Sequence, residues 1–399
     1  MFRMIPPAAA PIQLNEILTG IGASMSGHTA EQFKREICDY LNVKYALLTS
    51  SGRAALATIL KVLAEKSGKD EVIIPAYTCF SVPSAIVKAG LKIRLCDINR
   101  ETLDFELGEL AKTDWRKVLC VVPSNLFGLP SNLPEISRIA KERGALVIDD
   151  AAQSLGGAVG GLKSGTAGDV GLFSLGRGKV ISTYEGGMIV TRSDDMSQKL
   201  SKNPFVGNGT SRVPGFGTLG KLLAYSILVK PRFYWIPNRM PFLELGSSKF
   251  DPDFTVAGLS GLQTAIGCSV FRKLDQWNYQ RRKNAKVLYE GLKTQKELTI
   301  PKPLPNSEPI YLRFPILVMN PPLKEKIYSD LIANGIGASK AYPTGIHQIP
   351  NAIPHIVNPG DKFPQTDLVA SSILTLPTHP LLSMKDIERT IEVIKKCLR

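Results

Sequence analysis

Tyr45-Ala46-Leu47-Leu48-Thr49-Ser50-Ser51-Gly52-Arg53-Ala54-Ala55-Leu56 reads as a short apolar strand, a turn of small residues and the opening of a helix. Backbone N–H groups at a helix start are unpaired and carry partial positive charge, and Gly52 lets an anion come close to the main chain. The same residues also make an ordinary N-cap and turn. Further apolar runs follow at Glu71 to Ile74, Lys92 to Cys96, Val118 to Val122, Ala145 to Ile148, Val170 to Ser174 and Met188 to Thr191. Between them, Ala54 to Glu65, Ser81 to Ala89 and Leu133 to Arg143 carry helical periodicity. This alternation predicts an α/β fold: a mostly parallel seven-stranded sheet flanked by helices, with functional groups at the carboxyl ends of its strands.

The remainder of the chain departs from that rhythm. Residues 203–250 form an insertion rich in Gly and Pro, with apolar runs at Leu222 to Val229 and Phe233 to Ile236, each too short to span a bilayer. A long helical pattern covers Leu259 to Leu292, and a second α/β portion runs to the C-terminus. At 399 residues two domains are expected, a large one over 1–267 that carries the insertion and a small one over 268–399.

Composition narrows the function classes. A hydrophobic fraction of 44% and a charged fraction of 21% describe a chain that folds compactly, without long disorder. Six cysteines without a Cys-x-x-Cys pair and only four histidines argue against a zinc site or a disulfide framework, and no metal is expected. Prolines interrupt the N-terminus before an export signal could form, so a cytoplasmic location is expected. The net charge of +14 suits anionic partners. No basic run with interleaved aromatics supports a nucleic-acid role, and a phosphate-bearing small substrate fits the charge instead.

Two further stretches carry chemistry. Ile148-Asp149-Asp150-Ala151-Ala152-Gln153 puts two acids at a strand end, where one cap and one solvated carboxylate would be the ordinary outcome. In Phe173-Ser174-Leu175-Gly176-Arg177-Gly178-Lys179-Val180-Ile181-Ser182-Thr183-Tyr184-Glu185-Gly186-Gly187, a hydroxyl precedes a lysine by five residues. A lysine that forms an imine with an aldehyde needs a fixed place and a lowered pKa, which burial supplies.

Taken together these stretches resemble the DegT/StrS-type sugar aminotransferases, fold-type I pyridoxal-phosphate enzymes. Ser51-Gly52-Arg53 is similar to the family's phosphate turn, with Ser174 on the same phosphate, and Pro75-Ala76-Tyr77-Thr78-Cys79-Phe80 to its cofactor-stacking loop. Leu126-Phe127-Gly128 resembles another family block. Asp150-Ala151-Ala152-Gln153 resembles the motif that meets the pyridine nitrogen and the ring hydroxyl, and Lys179 with Glu185-Gly186-Gly187 the loop of the imine lysine. Gly335-Ile336, Tyr342-Pro343 and His347 look like the substrate-facing segment, to which Tyr184 is added, and Leu376 to Leu381 resembles the closing motif.

The departures are equally specific. Cys79 stands where the family places an aromatic stacker, leaving Tyr77 or Phe80 to take over or the stacking to weaken. Arg53 replaces a small hydroxyl residue, either adding a charged phosphate contact or pointing outward while its backbone N–H binds. Leu175-Gly176 replaces Phe-His. Phe254 to Ser260 occupies the place of an Asn-x-Arg element that reaches the partner subunit's cofactor phosphate.

The resemblance implies an aminotransferase that moves an amino group, with glutamate as the expected donor, to a keto group of a nucleotide-linked sugar in glycan precursor synthesis. Retention of Lys179 sets the chain apart from the family's dehydratase branch, in which a histidine takes that place. A homodimer is implied. Two other readings stand beside it: a lipid-linked acceptor met at the inner membrane face through 203–250, a segment read first as a dimer arm or lid, and a regulator or scaffold that has lost catalysis. A scaffold has no chemical need for Lys179, Asp150 and Gln153 together.

Overall fold

In the computed structural model, the described residues are 3–65, 67–203, 216–240 and 248–399. Much of the 203–250 insertion, residues 204–215 and 241–247, therefore lies outside them. The chain opens with α1 (Leu14–Met25) and α2 (Thr29–Leu41), then alternates β1 (Tyr45–Thr49), α3 (Gly52–Ala64), β2 (Glu71–Pro75), α4 (Ser81–Lys88) and β3 (Lys92–Cys96). It continues through α5 (Leu107–Lys112), β4 (Val118–Val121), α6 (Leu133–Glu142) and β5 (Leu146–Asp150). A small hairpin of β6 (Ala158–Val159) and β7 (Leu162–Lys163) precedes β8 (Val170–Ser174), β9 (Gly187–Thr191) and α7 (Asp194–Ser201).

Seven of these strands form one sheet in the order β1-β9-β8-β5-β4-β2-β3. The pairs β2/β3, β2/β4, β4/β5 and β5/β8 are parallel, and only β9 runs against its neighbours β1 and β8. Strands β2 and β9 are buried along their whole length, which is why they read as unbroken apolar runs rather than alternating ones. Helix α3 packs across β8 and β9 with nearly its entire surface covered, and this fixes its N-terminus over the carboxyl end of β8.

Beyond α7 the described elements are α8 (Phe216–Leu228), α9 (Trp235–Asn238), α10 (Gly261–Phe271) and α11 (Leu274–Leu292). The single helical pattern expected over Leu259 to Leu292 is thus two helices. Helix α10 starts from a Ser260/Gln263 capping box and packs on α1 and α2, and α11 packs on α14. The C-terminal portion comprises β10 (Leu298–Thr299), β11 (Ser307–Glu308), β12 (Arg313–Val318), α12 (Pro321–Ala333), α13 (Pro364–Ser372), β13 (Ile373–Pro377) and α14 (Met384–Cys397). Its antiparallel sheet β10-β12-β13 and its helices enclose a separate core around Phe314, Ile316, Leu374 and Ile387.

The first residues do not follow the large unit to which their position in the chain assigned them. Ile5 is buried in the C-terminal core, its N–H donates to the Gly335 carbonyl at 2.8 Å, and Arg3 pairs with Asp386 at 2.6 Å. Five residues later the chain enters the other core, where Ala10 and Ile12 are buried. Among the described residues no helix is long and apolar enough to cross a membrane, and no cluster of His, Cys, Asp or Glu could hold a metal ion.

Candidate active site

The carboxyl ends of β1, β5 and β8 surround a cleft of about 720 Å³. Ser51, Gly52, Arg53, Cys79, Asp150, Gln153, Ser174, Lys179 and Tyr184 all line it. Tyr342 and His347 do not.

The floor is the start of α3. Ser51 is its N-cap, in extended conformation, and its Oγ accepts from the Ala54 N–H at 3.2 Å. The N–H groups of Gly52 and Arg53 precede any intrahelical partner and are free for an anion. A Cβ on Gly52 would lie 2.9 Å from the Ser174 Cβ, so the absence of a side chain there is what keeps the cradle open. Arg53 sends its guanidinium away along the wall, to Asp251 at 3.1 Å and over the Phe254 ring at 4.5 Å. Of the two sequence-based expectations for Arg53, the outward one matches this placement.

The acidic pair divides its work. Asp149 is fully buried and accepts from the Asn125 Nδ2 at 2.9 Å, the Gly165 N–H at 2.6 Å and the Ala167 N–H at 3.4 Å. It knits β5 to two loops, and burial still holds its pKa up at about 6. Asp150 opens on the cleft, with Oδ1 accepting from the Ala152 N–H at 3.0 Å. Burial raises its pKa, opposed by that N–H and by the Lys179 charge. Asn125 was not singled out by sequence, yet it bridges the Asp149 carboxylate and the Asp150 carbonyl.

Lys179 lies in the loop between β8 and β9. Burial lowers its pKa, the Cys79 and Asp150 charges act against that, and the Arg313 charge at the start of β12 adds to it. Cys79 bonds the hydroxyls of Ser81 and Ser248, each at 3.4 Å. Burial by itself would raise this thiol, but the Lys179 charge and the two hydroxyls outweigh it and bring its pKa below that of a free cysteine. Neither Tyr77 nor Phe80 lines the cleft: both are buried and pack instead on Tyr342, with ring centroids 5.8 Å away in each case. The wall at this position is a thiol, with no aromatic in its place.

Gln153 accepts from the Phe127 N–H at 3.2 Å and donates to the Tyr342 Oη at 3.2 Å. Tyr342 therefore meets the cleft through Gln153. Phe127 holds a left-handed backbone, φ 56°, to make that contact. His347 lies outside this lining: its Nε2 pairs with Asp367 at 3.0 Å and its ring packs on Phe363, which is buried together with Ile346 in the core that holds α3 and β2. A histidine five residues after Tyr342 gave no sequence signal of which role it would take. The segment that replaces the Asn-x-Arg element lies in this same chain's cleft, where Ala257 exchanges hydrogen bonds with Ser50 at 2.7 and 3.1 Å and Thr255 and Gly258 join the lining.

The model of the DegT/DnrJ/EryC1/StrS aminotransferase family matches residues 11–226 and 254–395. The chain belongs to this family. Its cofactor is pyridoxal phosphate, and the residues fit the group: an open anion cradle at a helix start, a carboxylate and an amine of lowered pKa face one cleft. This aminotransferase-family chain is 24% identical over 388 residues to the GDP-perosamine synthase of Caulobacter vibrioides, covering 94% of this chain and 91% of that protein. In fold it is similar to Helicobacter pylori PseC, an aminotransferase involved in the biosynthesis of pseudoaminic acid, with a TM-score of 0.80, 17% identity and 99% of both chains covered. It is similar also to the E. coli GDP-4-keto-6-deoxy-D-mannose-3-dehydratase with bound hydrated PLP, with a TM-score of 0.78, 20% identity, and 98% of this chain and 100% of that chain covered.

Proposed function

We propose that the enzyme transfers an amino group from an amino-acid donor, glutamate in our reading, to the keto carbon of a nucleotide-linked sugar. The observation that carries it is the meeting of the Lys179 amine and the Asp150 carboxylate in one cleft above the free N–H groups of α3. When bound, pyridoxal phosphate supplies an aldehyde carbon that accepts and releases amino groups and a ring that takes up the electrons of a broken Cα–H bond. In this reading Ser51, Gly52, the Arg53 N–H and Ser174 hold the phosphate. Asp150 keeps the pyridine nitrogen protonated, Gln153 meets the ring hydroxyl and Cys79 faces the ring. Lys179 would hold the aldehyde until the donor amine takes its place, and the freed Nζ would then carry the proton away from the substrate carbon and return one. A lowered amine pKa serves both tasks, since only the neutral amine attacks an aldehyde or accepts a proton.

The acceptor class is supported by relatives such as the GDP-perosamine synthase, and the net charge of +14 suits a nucleotide diphosphate. The family's inter-subunit sites support a homodimer. The division into two units belongs to the same reading, with its boundary moved from 267/268 into α11, because α10 runs across 267/268 and Cys268, Val270, Phe271, Leu274 and Trp277 are buried with the large unit, whereas Ala285, Leu288 and Leu292 are buried with the C-terminal one. A second reading puts this chemistry at a bilayer surface; the composition of 216–240, basic without an acidic residue, favours it. Borohydride reduction of the purified yellow protein followed by peptide mass mapping tests the site, with the cofactor mass expected on the Lys179 peptide. Loss of the visible band on adding glutamate, and its return with a nucleotide keto-sugar, tests donor and acceptor. A colourless protein, or a label on another lysine, would sink the reading.

A further inference from the structure

Arg313 opens β12 and carries a charge that no cofactor contact uses. Alternate residues of a strand face opposite sides. Phe314, Ile316 and Val318 enter the C-terminal core, so Arg313 shares the other face with Leu317, which is buried in one cluster with Tyr77 and Phe127 and has Tyr342 packed against that cluster. This is the face that meets the cleft, because the Tyr342 Oη accepts from Gln153 of the lining at 3.2 Å. Like Tyr342, Arg313 stands one layer behind the lining.

Two polar groups on this face are short of partners. The Arg313 guanidinium is half-buried, and among the described residues it makes no ion pair and one hydrogen bond, a long one of 3.4 Å from Nη1 to the Ser339 Oγ. The same Oγ accepts from the Ala341 N–H at 3.1 Å, where the backbone turns left-handed, φ 50°, on its way to Tyr342. The Tyr77 hydroxyl is buried without any hydrogen-bond partner. Buried donors left unmade are costly, and a ligand that accepts from them recovers the loss.

The ligand that fits is an anion. Burial lowers the pKa of the guanidinium, and its charge in turn helps to lower that of the Lys179 amine, so two cations share one neighbourhood. A guanidinium presents a planar fork of donors that matches a carboxylate with two parallel bonds. Held by a single long bond, this one is free to turn toward such a partner. Both substrates bring anions, and position chooses between them. The α-carboxylate of an amino donor is bonded to the carbon whose proton Lys179 takes, so it must lie beside the amine. The diphosphate of a nucleotide sugar is set apart from the keto carbon by the sugar ring, and the cofactor phosphate belongs to the start of α3 on the cleft floor.

We infer that Arg313 receives the α-carboxylate of the amino donor and thereby sets which amines the enzyme accepts. This deepens the function proposed above and rests on it. The two fail separately: a borohydride label away from Lys179 sinks that function, whereas the measurements below use holoenzyme whose Lys179 takes the label. In R313Q the glutamate concentration that half-bleaches the visible band rises about ten- to a hundredfold, the worth of a charge-assisted pair. Affinity for the cofactor and for the probes GDP, UDP and dTDP is unchanged. 4-Aminobutyrate, which is glutamate without its α-carboxylate, bleaches the wild-type band poorly and the R313Q band no worse, so the preference for glutamate collapses. A second readout needs no amino transfer. Glutarate, a carboxylate without an amine, raises the pH at which the wild-type band changes colour, because it neutralises a cation felt at Lys179. R313Q starts from the raised pH and does not respond. R313K keeps the charge without the fork; it retains the wild-type pH midpoint and loses glutamate affinity, and it decides the matter if R313Q does not fold. Wild-type glutamate affinity in either variant overturns the inference. So does a loss of nucleoside-diphosphate affinity in place of glutamate affinity, which would assign the cation to the acceptor's phosphates.

Discussion

Gly52 and Ser174 approach so closely that a methyl group on the glycine would meet the serine Cβ at 2.9 Å. The two residues come from different strand ends, and the space between them is the anion cradle. Gly52→Ala puts a methyl group into that space without straining the helix, where alanine is the better former. The expected result is cofactor affinity reduced at least tenfold, about 1.4 kcal/mol or more, with melting of the cofactor-free protein modestly lowered, because relief of the 2.9 Å contact more than offsets the helix-propensity gain. Equilibrium dialysis with pyridoxal phosphate and a melt of the stripped protein check both halves.

Asp149 and Asp150 separate by experiment. Asp149→Asn replaces one acceptor oxygen with an amide that faces backbone or side-chain donors, leaving a buried mismatch and a loss of about 1–3 kcal/mol in stability. Asp150→Asn keeps the bond to the Ala152 N–H and removes a buried charge, so stability is unchanged or raised, while turnover slows about a hundredfold or more. Urea titrations beside single-turnover spectra distinguish them, and the reverse pattern would exchange the roles assigned here.

Arg53→Ala tests whether the guanidinium or the main chain serves the anion. The ion pair with Asp251 is half-buried and the guanidinium also covers the Phe254 ring, so the loss of both costs about 1 kcal/mol. Cofactor affinity changes by less than about threefold if the N–H is the contact, or about 0.7 kcal/mol. A loss of tenfold or more in a dialysis measurement would assign the phosphate to the side chain.

His379 gives a pH signature. It is buried, its Nε2–H donates to the Pro6 carbonyl at 2.9 Å and its Nδ1 accepts from the Leu381 N–H at 3.3 Å, so the neutral ring is fully used. Burial pushes its pKa down to about 3. In the unfolded chain the ring takes up a proton near pH 6.5, so its contribution is complete above that value and is lost as pH falls toward 3, by about 1.4 kcal/mol per pH unit. His379→Gln keeps the donor to Pro6 and removes that slope. Chemical denaturation of both proteins from pH 4 to 7 shows the difference, and parallel curves would exclude it.

The mostly parallel sheet was legible because its strands are buried along most of their length and so read as apolar runs, the edge strand β3 with Lys92 and Arg94 excepted, and the cradle was legible because a strand, small residues and a helix start are contiguous in the chain. Ser51, Asp150 and Lys179 sit where local sequence put them. The parts that were not legible depend on distant contacts. Whether His347 meets substrate or Asp367 is decided by where α13 packs, twenty residues on. That Tyr77 and Phe80 turn to Tyr342 rather than to the cleft is decided by a residue of the C-terminal portion. Asn125 gave no signal at all, since it follows β4 and reaches its two acceptors on β5 only when the two strands lie side by side.

The N-terminal run from Arg3 to Ile12 is anchored at its start in the C-terminal core and at its end in the core beneath the large sheet. The two halves of the molecule are consequently joined by two strands of polypeptide rather than one, as a lid is held by both a hinge and a strap. Such a tether limits how far the halves can swing apart. In calorimetry they give one endotherm, and deleting the strap splits it in two.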